Sequence, residues 1–544
     1  MSRVAIALPI AAILAALFGL PRTAPAAPAA GLAPRVGCGQ LATASLDAAV
    51  GAHVQLTRAV EGEFDGGRYC SVAGTIAPAI QFEARLPVAG WSGRYLQTGC
   101  GGLCGMLRIH VEHADACVPI QDHAVVLAST DMGHSGMGGA WAAANPAARA
   151  DFGYRGVHLT AVAVKALIQV YYGQGPHYSY FSGCSDGGRE ALIEAQRFPA
   201  DFDGIAAGAP ALNFTVQNSF YHAWNTLANT GPDGRAVITG AELPLLHAAV
   251  LAQCDAIDGS SDGVLEDPRA CHVDVDRLAC APGRPAGQCL TPAQVATVKK
   301  IYAGAQDAAG RRLVMGGPMP GSELAWLGVS VPRGPGDPIP SRRFVEDSVP
   351  WLYYDPPLPE GWRVSDLKFD AATLQSFRLR GLYDATDPDL SVFRAHGGKL
   401  LLWHGWSDQH ISPRNSIGYY EAVAGRFGRA ATAAFARLFL LPGVYHCSDG
   451  EGPVNFDVLT PLMAWVEQGQ APATLEQYAA DSRRPVYPYP DRAARKADGS
   501  WRRVQGSWQS LALDWHGAGF FSSGYELDCD AGRLAQCKAR AAAP

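Results

Sequence analysis

The sequence predicts an α/β fold built on a mostly parallel sheet with helices on both faces, interrupted by one large insertion. Strand-like runs at 94–98, 124–129, 178–182, 399–404 and 436–441 alternate with segments of helical period, notably 157–169 and 188–197. A G-x-S-x-G motif, Gly183-Cys184-Ser185-Asp186-Gly187, stands between the 178–182 run and the helical run that follows. The alternation stops from about Leu212 to Tyr383, where loops, prolines, aromatics and four cysteines replace it. That stretch is too long for a loop inside a compact domain, so it reads as an inserted lid domain above the carboxyl ends of the strands. The expected division is 31–211 and 384–544 for the two parts of the α/β domain, with the lid at 212–383 between them.

With 544 residues, 48% hydrophobic and 17% charged, the chain has the material for a large core. Its net charge of -6 and the lack of any Lys/Arg-rich stripe exclude a nucleic-acid partner. Residues 1–30 have the layout of a signal peptide: Met1-Ser2-Arg3, an apolar run from Val4 to Leu20, then an Ala/Pro stretch. Cleavage is expected between Ala24 and Ala30, giving a secreted or periplasmic protein; an uncleaved anchor is the alternative. No later segment reads as a membrane span. Thirteen cysteines in an exported chain predict disulfides, and the odd total leaves at least one thiol unpaired within the chain. Cys100, Cys104 and Cys117 crowd one region, and the leftover is expected among them.

In G-x-S-x-G the small flanking residues permit a sharp strand-to-helix turn that exposes the Ser185 hydroxyl at a helix amino terminus. This context predicts an α/β-hydrolase fold with Ser185 as nucleophile. A serine hydroxyl needs a base and an orienting carboxylate, in the chain order Ser, acid, His. The 399–403 run leads into His404-Gly405-Trp406-Ser407-Asp408, and the 436–441 run into Pro442-Gly443-Val444-Tyr445-His446. Asp408 and His446 are therefore the candidates. His404 is the rival base and otherwise a pocket residue; Asp449 is the rival acid, though it follows the histidine. The amide of Asp186, next after the nucleophile, is the first expected oxyanion donor. Cys184 precedes the serine and Cys447 follows the histidine, so a bridge between them would fasten the two loops together.

Cys-Ser at the turn, His-Gly-x-Ser-Asp after a strand and His-Cys later resemble the tannase and feruloyl esterase family. Ser129-Thr130-Asp131-Met132-Gly133-His134 and the segment from Asp203 to Pro210 are similar to further family segments. The resemblance implies ester hydrolysis through an acyl-enzyme, with an aromatic ester of feruloyl or galloyl type as substrate and no organic cofactor. It supports the turn Thr98-Gly99-Cys100-Gly101-Gly102 as the second oxyanion element. Gly101 is chosen there with Gly102 its rival, and Cys100 departs from the Gly or Asn of some relatives. Within the insertion, Asp255, Asp258 and Asp262 are hard-oxygen donors in one short loop. Read alone they also suit a solvated acidic turn. Resemblance to the family's lid calcium site implies Ca²⁺ on these side chains and on the carbonyls of Ser260 and Val264, with a structural role. Resemblance and spacing also pair Cys38 with Cys70, Cys254 with Cys271, Cys280 with Cys289, and Cys529 with Cys537.

For the substrate, Trp326, Phe344, Trp351, Tyr353 and Tyr354 offer aromatic surface, and Arg342 and Arg343 offer cations. Trp326, Arg343, Phe344 and His404 are the selected contacts. Alternative readings are a terephthalate monoester hydrolase, an acyl transferase to an alcohol, and an inactive calcium-dependent binding protein.

Overall fold

A computed structural model describes residues 31–285 and 287–508, and the backbone of 525–528 and 538–541. The expected leader at 1–30, and Cys529 and Cys537, lie outside the described residues. Nine strands form the central sheet: β1 Val54–Phe64, β2 Gly67–Ile76, β3 Ile80–Pro87, β4 Arg94–Thr98, β5 Val125–Thr130, β6 Tyr178–Cys184, β7 Gly204–Gly208, β8 Lys399–Gly405 and β9 Ala436–Leu441. Their order is β1-β2-β3-β5-β4-β6-β7-β8-β9. From β5 to β9 every neighbouring pair is parallel. The sheet is nevertheless mixed, because β1, β2 and β3 pair antiparallel with one another and β3 joins β5 antiparallel. Their sequence signal is a turn: Asp65 and Gly66, with φ of 50° and 86°, join β1 to β2 as a left-handed two-residue hairpin.

Alternating residues of the strands feed two separate cores. Tyr95, Phe181, Ile205, Leu400, Leu402 and Leu438 belong to one, together with the helices Gly156–Tyr172, Asp186–Arg197 and Arg414–Phe427. Leu96, Tyr180, Ala206, Leu401 and Phe439 belong to the other, with Leu459, Leu462 and Met463 of the helix Leu459–Gln468. A side-chain period of two thus covers both faces, which is why these strands read as continuous apolar runs rather than alternating ones. Among the described residues no helix is long and apolar enough to cross a membrane.

Residues 212–383 run between β7 and β8 and add no strand to this sheet. Their two flanks are built into the main core through Phe214, Phe220, Val349, Tyr353 and Tyr383. The middle has a core of its own, in which Ile238, Leu246, Val298 and Ile301 surround Trp326. Trp326 is fully buried, its indole N–H donates to Ser322 Oγ at 2.9 Å, and its ring meets Tyr302 edge-on. This corrects its assignment as a substrate contact: the largest side chain in this cluster fills the segment's own interior. Replacing so large a buried ring leaves a cavity, so Trp326→Ala is expected to destabilise the protein by about 3–5 kcal/mol. Denaturant unfolding checks this, and a loss below about 1 kcal/mol would contradict the packing role.

Candidate active site

The turn after β6 is forced by close backbone contact. A Cβ on Gly183 would stand 2.6 Å from the carbonyl of Gly187, and one on Gly188 would stand 2.3 Å from Gly208 O. Between them Ser185 takes φ 64° and ψ -117°, a conformation that L residues rarely adopt outside functional turns. The helix starts at once, at Asp186 rather than at the expected Gly188, so the Asp186 amide is among its first-turn donors. Asp186 itself turns inward, where Arg189 grips both carboxylate oxygens at 2.6 and 2.9 Å.

Asp408 and His446 come from the loops after β8 and β9. His446 Nδ1–H donates to Asp408 Oδ2 at 2.7 Å, and the His446 side chain keeps 15% exposure while Asp408 has none. The other Asp408 oxygen accepts the amides of His410 and Ile411, both at 2.8 Å. Burial alone would raise this carboxyl, but the charge of His446 and hydrogen bonds from His404 and His446 outweigh it and hold the group well below the usual carboxylate range.

His404 is corrected from pocket residue to buried support. It is fully buried, and its Nε2 lies 3.1 Å from Asp408 Oδ2 and 3.0 Å from Ile411 O. Both are acceptors, so Nε2 carries the hydrogen and Nδ1 accepts from Ser416 Oγ at 2.8 Å. With both nitrogens occupied and no exposed surface, His404 does not line the cavity. Asp449 is exposed and its φ of 59° belongs to the turn beyond His446.

Ser185, Asp186, His446, Gly101 and Gly102 line one cavity of about 660 Å³. The inserted segment contributes Phe214, Arg343, Phe344 and Asp347 to the same wall. Phe344 stacks on His222 with centroids 4.5 Å apart and meets His410 edge-on at 5.4 Å. Arg343 Nε reaches Asp347 Oδ2 at 3.1 Å, with 77% of its side chain exposed. Sequence reasoning missed His222 and His410. Burial and the neighbouring His446 push His410 down to about 3 and His222 well below the usual imidazole range, so both stay neutral. His410, two residues past Asp408 in a strand-end loop, carried a positional signal; His222 carried none.

Cys184 and Cys447 are bridged, with Cα atoms 5.8 Å apart, and join turns 263 residues apart in the chain. Cys38–Cys70, Cys254–Cys271 and Cys280–Cys289 are bridged as well. Cys100 pairs with Cys104, which leaves Cys117 as the buried free thiol among the described residues.

In the 254–264 loop the three aspartates accept from backbone amides: Asp255 from Gly263 at 3.2 Å, Asp258 from Ser260 at 2.9 Å and Glu266 at 3.1 Å, Asp262 from Val264 at 3.3 Å. Asp262 also accepts from Arg484 Nη2 at 2.8 Å. Among the described residues these three carboxylates are not drawn within 4.8 Å of one another. The three side chains are oxygen donors of the kind a hard cation takes, and Arg484 already supplies a positive charge to Asp262 and Glu266. Nearby Glu266 is buried, with its carboxyl pushed up to about 8 by burial against the opposing charge of Arg484; its Oε1 accepts the Ala493 amide at 2.7 Å and its Oε2 lies 3.8 Å from Arg484 Nε with no hydrogen bond.

The family model for tannase and feruloyl esterase matches residues 63–510. An uncharacterized esterase of Xanthomonas campestris pv. campestris is 35% identical over 489 residues, covering 79% of this chain and 82% of its own. The mono(2-hydroxyethyl) terephthalate hydrolase of Piscinibacter sakaiensis is 33% identical over 508 residues, covering 79% and 83%. The crystal structure of feruloyl esterase B from Aspergillus oryzae superposes with a TM-score of 0.72 at 29% identity, over 83% of this chain and 96% of that one. A sheet with its cavity-lining serine turn and a strand-end His–Asp pair, matched along most of the chain, places the protein in the tannase and feruloyl esterase family of carboxylic ester hydrolases.

Proposed function

We propose that this esterase is an exported serine hydrolase of aromatic carboxylic esters, of feruloyl or galloyl type, working through an acyl-enzyme. The observation that carries the reading is the opening of Ser185, on its left-handed turn, and His446, backed by Asp408, into one cavity walled by Phe214 and Phe344. His446 takes the Ser185 proton as the hydroxyl oxygen attacks the ester carbonyl, and Asp408 holds the imidazole and offsets its charge. The amides of Asp186 and Gly101 stabilise the oxyanion. The alcohol leaves with the proton from His446; water, deprotonated by the same imidazole, then releases the acid. Five disulfides among the described residues support an oxidising destination. Residues 212–383 serve as the lid.

Ca²⁺ held by the side chains of Asp255, Asp258 and Asp262 and the carbonyls of Ser260 and Val264 would brace this lid. When bound, the ion would neutralise the local excess of carboxylates and supply no chemistry to the ester. The terephthalate monoester reading is supported by one observation, the exposed Arg343 guanidinium at the cavity wall, which would meet a second carboxylate.

Turnover of methyl gallate, methyl ferulate and mono(2-hydroxyethyl) terephthalate, measured beside Ser185→Ala, tests the function. Serine-dependent hydrolysis that favours gallate or ferulate is expected, with the variant reduced by about 10³-fold or more. No turnover of any ester, with Ser185 also unlabelled by a fluorophosphonate, would favour the binding-protein reading. Replacing Cys184 and Cys447 together by Ala should lower kcat by about 10-fold or more through misplacement of the base loop; unchanged turnover and melting would remove that role for the bridge. Chelation of the metal-loaded protein should lower its Tm, since a ligand bound only to the native state stabilises it. Metal analysis that finds no calcium, with an unmoved melt, would rule the site out.

A further inference from the structure

Behind the glycine-rich turn lies a carboxyl that the chemistry above does not use. Glu190 sits one helical turn beyond Asp186 and is 1% exposed. Its Oε1 accepts the Cys100 N–H at 3.3 Å and stands 2.7 Å from Cys100 Sγ and 3.4 Å from Cys104 Sγ. Its Oε2 is buried with no hydrogen-bond partner. The turn and the helix touch backbone to backbone here: a Cβ on Gly99 would lie 2.5 Å from Gly187 Cα and 3.1 Å from Glu190 Oε2. Glu190 is thus a buried polar tie across this close contact, beside Cys104 Sγ, which lies 3.3 Å from Asp186 Oδ2.

The charge balance fixes its form. From its own helix Glu190 faces Asp186, Arg189 and the buried carboxyl of Glu194, and the single positive charge of Arg189 is already taken up by both oxygens of Asp186. From the turn it faces the Cys100 amide and two bridged sulfurs, which carry no hydrogen to donate. An ionised Glu190 would be a second buried anion with one amide for compensation. Burial, followed by the charge of Asp186, pushes its carboxyl well above the usual range.

We infer that Glu190 is a positioning residue for ester hydrolysis: its buried carboxyl anchors the 99–104 turn to the helix that follows Ser185, and so sets the Gly101 amide against the Asp186 amide. This rests on the serine-esterase reading with those amides as oxyanion donors. Such donors act only when aimed at the developing charge, so displacement of the turn lowers kcat and leaves ground-state binding in place.

The test compares Glu190→Gln, Glu190→Asp and Glu190→Ala on methyl ferulate, with melting curves and pH–rate profiles for each. Gln keeps the acceptor and the neutral charge, so it should retain kcat within about threefold and the parent's pH profile. Asp falls short of the turn and Ala removes the tie; both should lose about 10–100-fold in kcat with KM within about twofold. Parent-like kcat in the folded Asp variant would overturn the inference, as would a Gln variant that falls as far as Ala. Turnover that survives Ser185→Ala in the parent background would instead overturn the serine reading beneath it.

Discussion

The site depends on one buried anion. Asp408 has no exposed surface, and stripping a carboxylate of water is affordable only when its lone pairs are filled. Four donors do this: the amides of His410 and Ile411 on one oxygen, the imidazoles of His404 and His446 on the other. Satisfying that charge curls the loop after β8 back on itself and draws in the loop after β9. The orientation of the His446 ring is therefore a by-product of a folding requirement, and His404 belongs to it as much as His446 does.

A second constraint is covalent. The Cys184–Cys447 bridge ties the serine turn to the histidine turn, neither of which has much freedom of its own: Ser185 and Cys447 both sit at positive φ, 64° and 66°. His113 adds a polar brace, its Nε2 lying 2.7 Å from the Cys447 carbonyl oxygen. Across the cavity the Cys100–Cys104 bridge closes the glycine-rich turn over Glu190. These cavity loops are held by bridges and buried carboxyls in place of regular hydrogen-bond ladders.

The segment between β7 and β8 reaches the cavity by a different route. Its flanks are rooted in the main core through Phe214, Tyr353 and Tyr383, while its middle keeps a separate core around Trp326. Its Phe344 and His222 stack on one another beside His410 of the loop after β8, and Arg343 and Asp347 are its charged residues at the cavity.

The sequence by itself determined the α/β alternation, the serine turn, the strand-end acid and histidine, and the cysteines beside them. Each is a local signal: a period of two or 3.6, a run of glycines that only a tight turn requires, a residue's place just after a strand. Family resemblance added the pairing of the bridges at Cys38–Cys70, Cys254–Cys271 and Cys280–Cys289, which spacing alone leaves open. Only the tertiary structure decided that His404 is buried support and Trp326 interior packing, that β1 to β3 run antiparallel, that Cys100 pairs with Cys104, and that His222 reaches the cavity from 37 residues beyond Ser185. Those outcomes depend on which distant segments meet and on where water is excluded, and no stretch of sequence carries that information within itself.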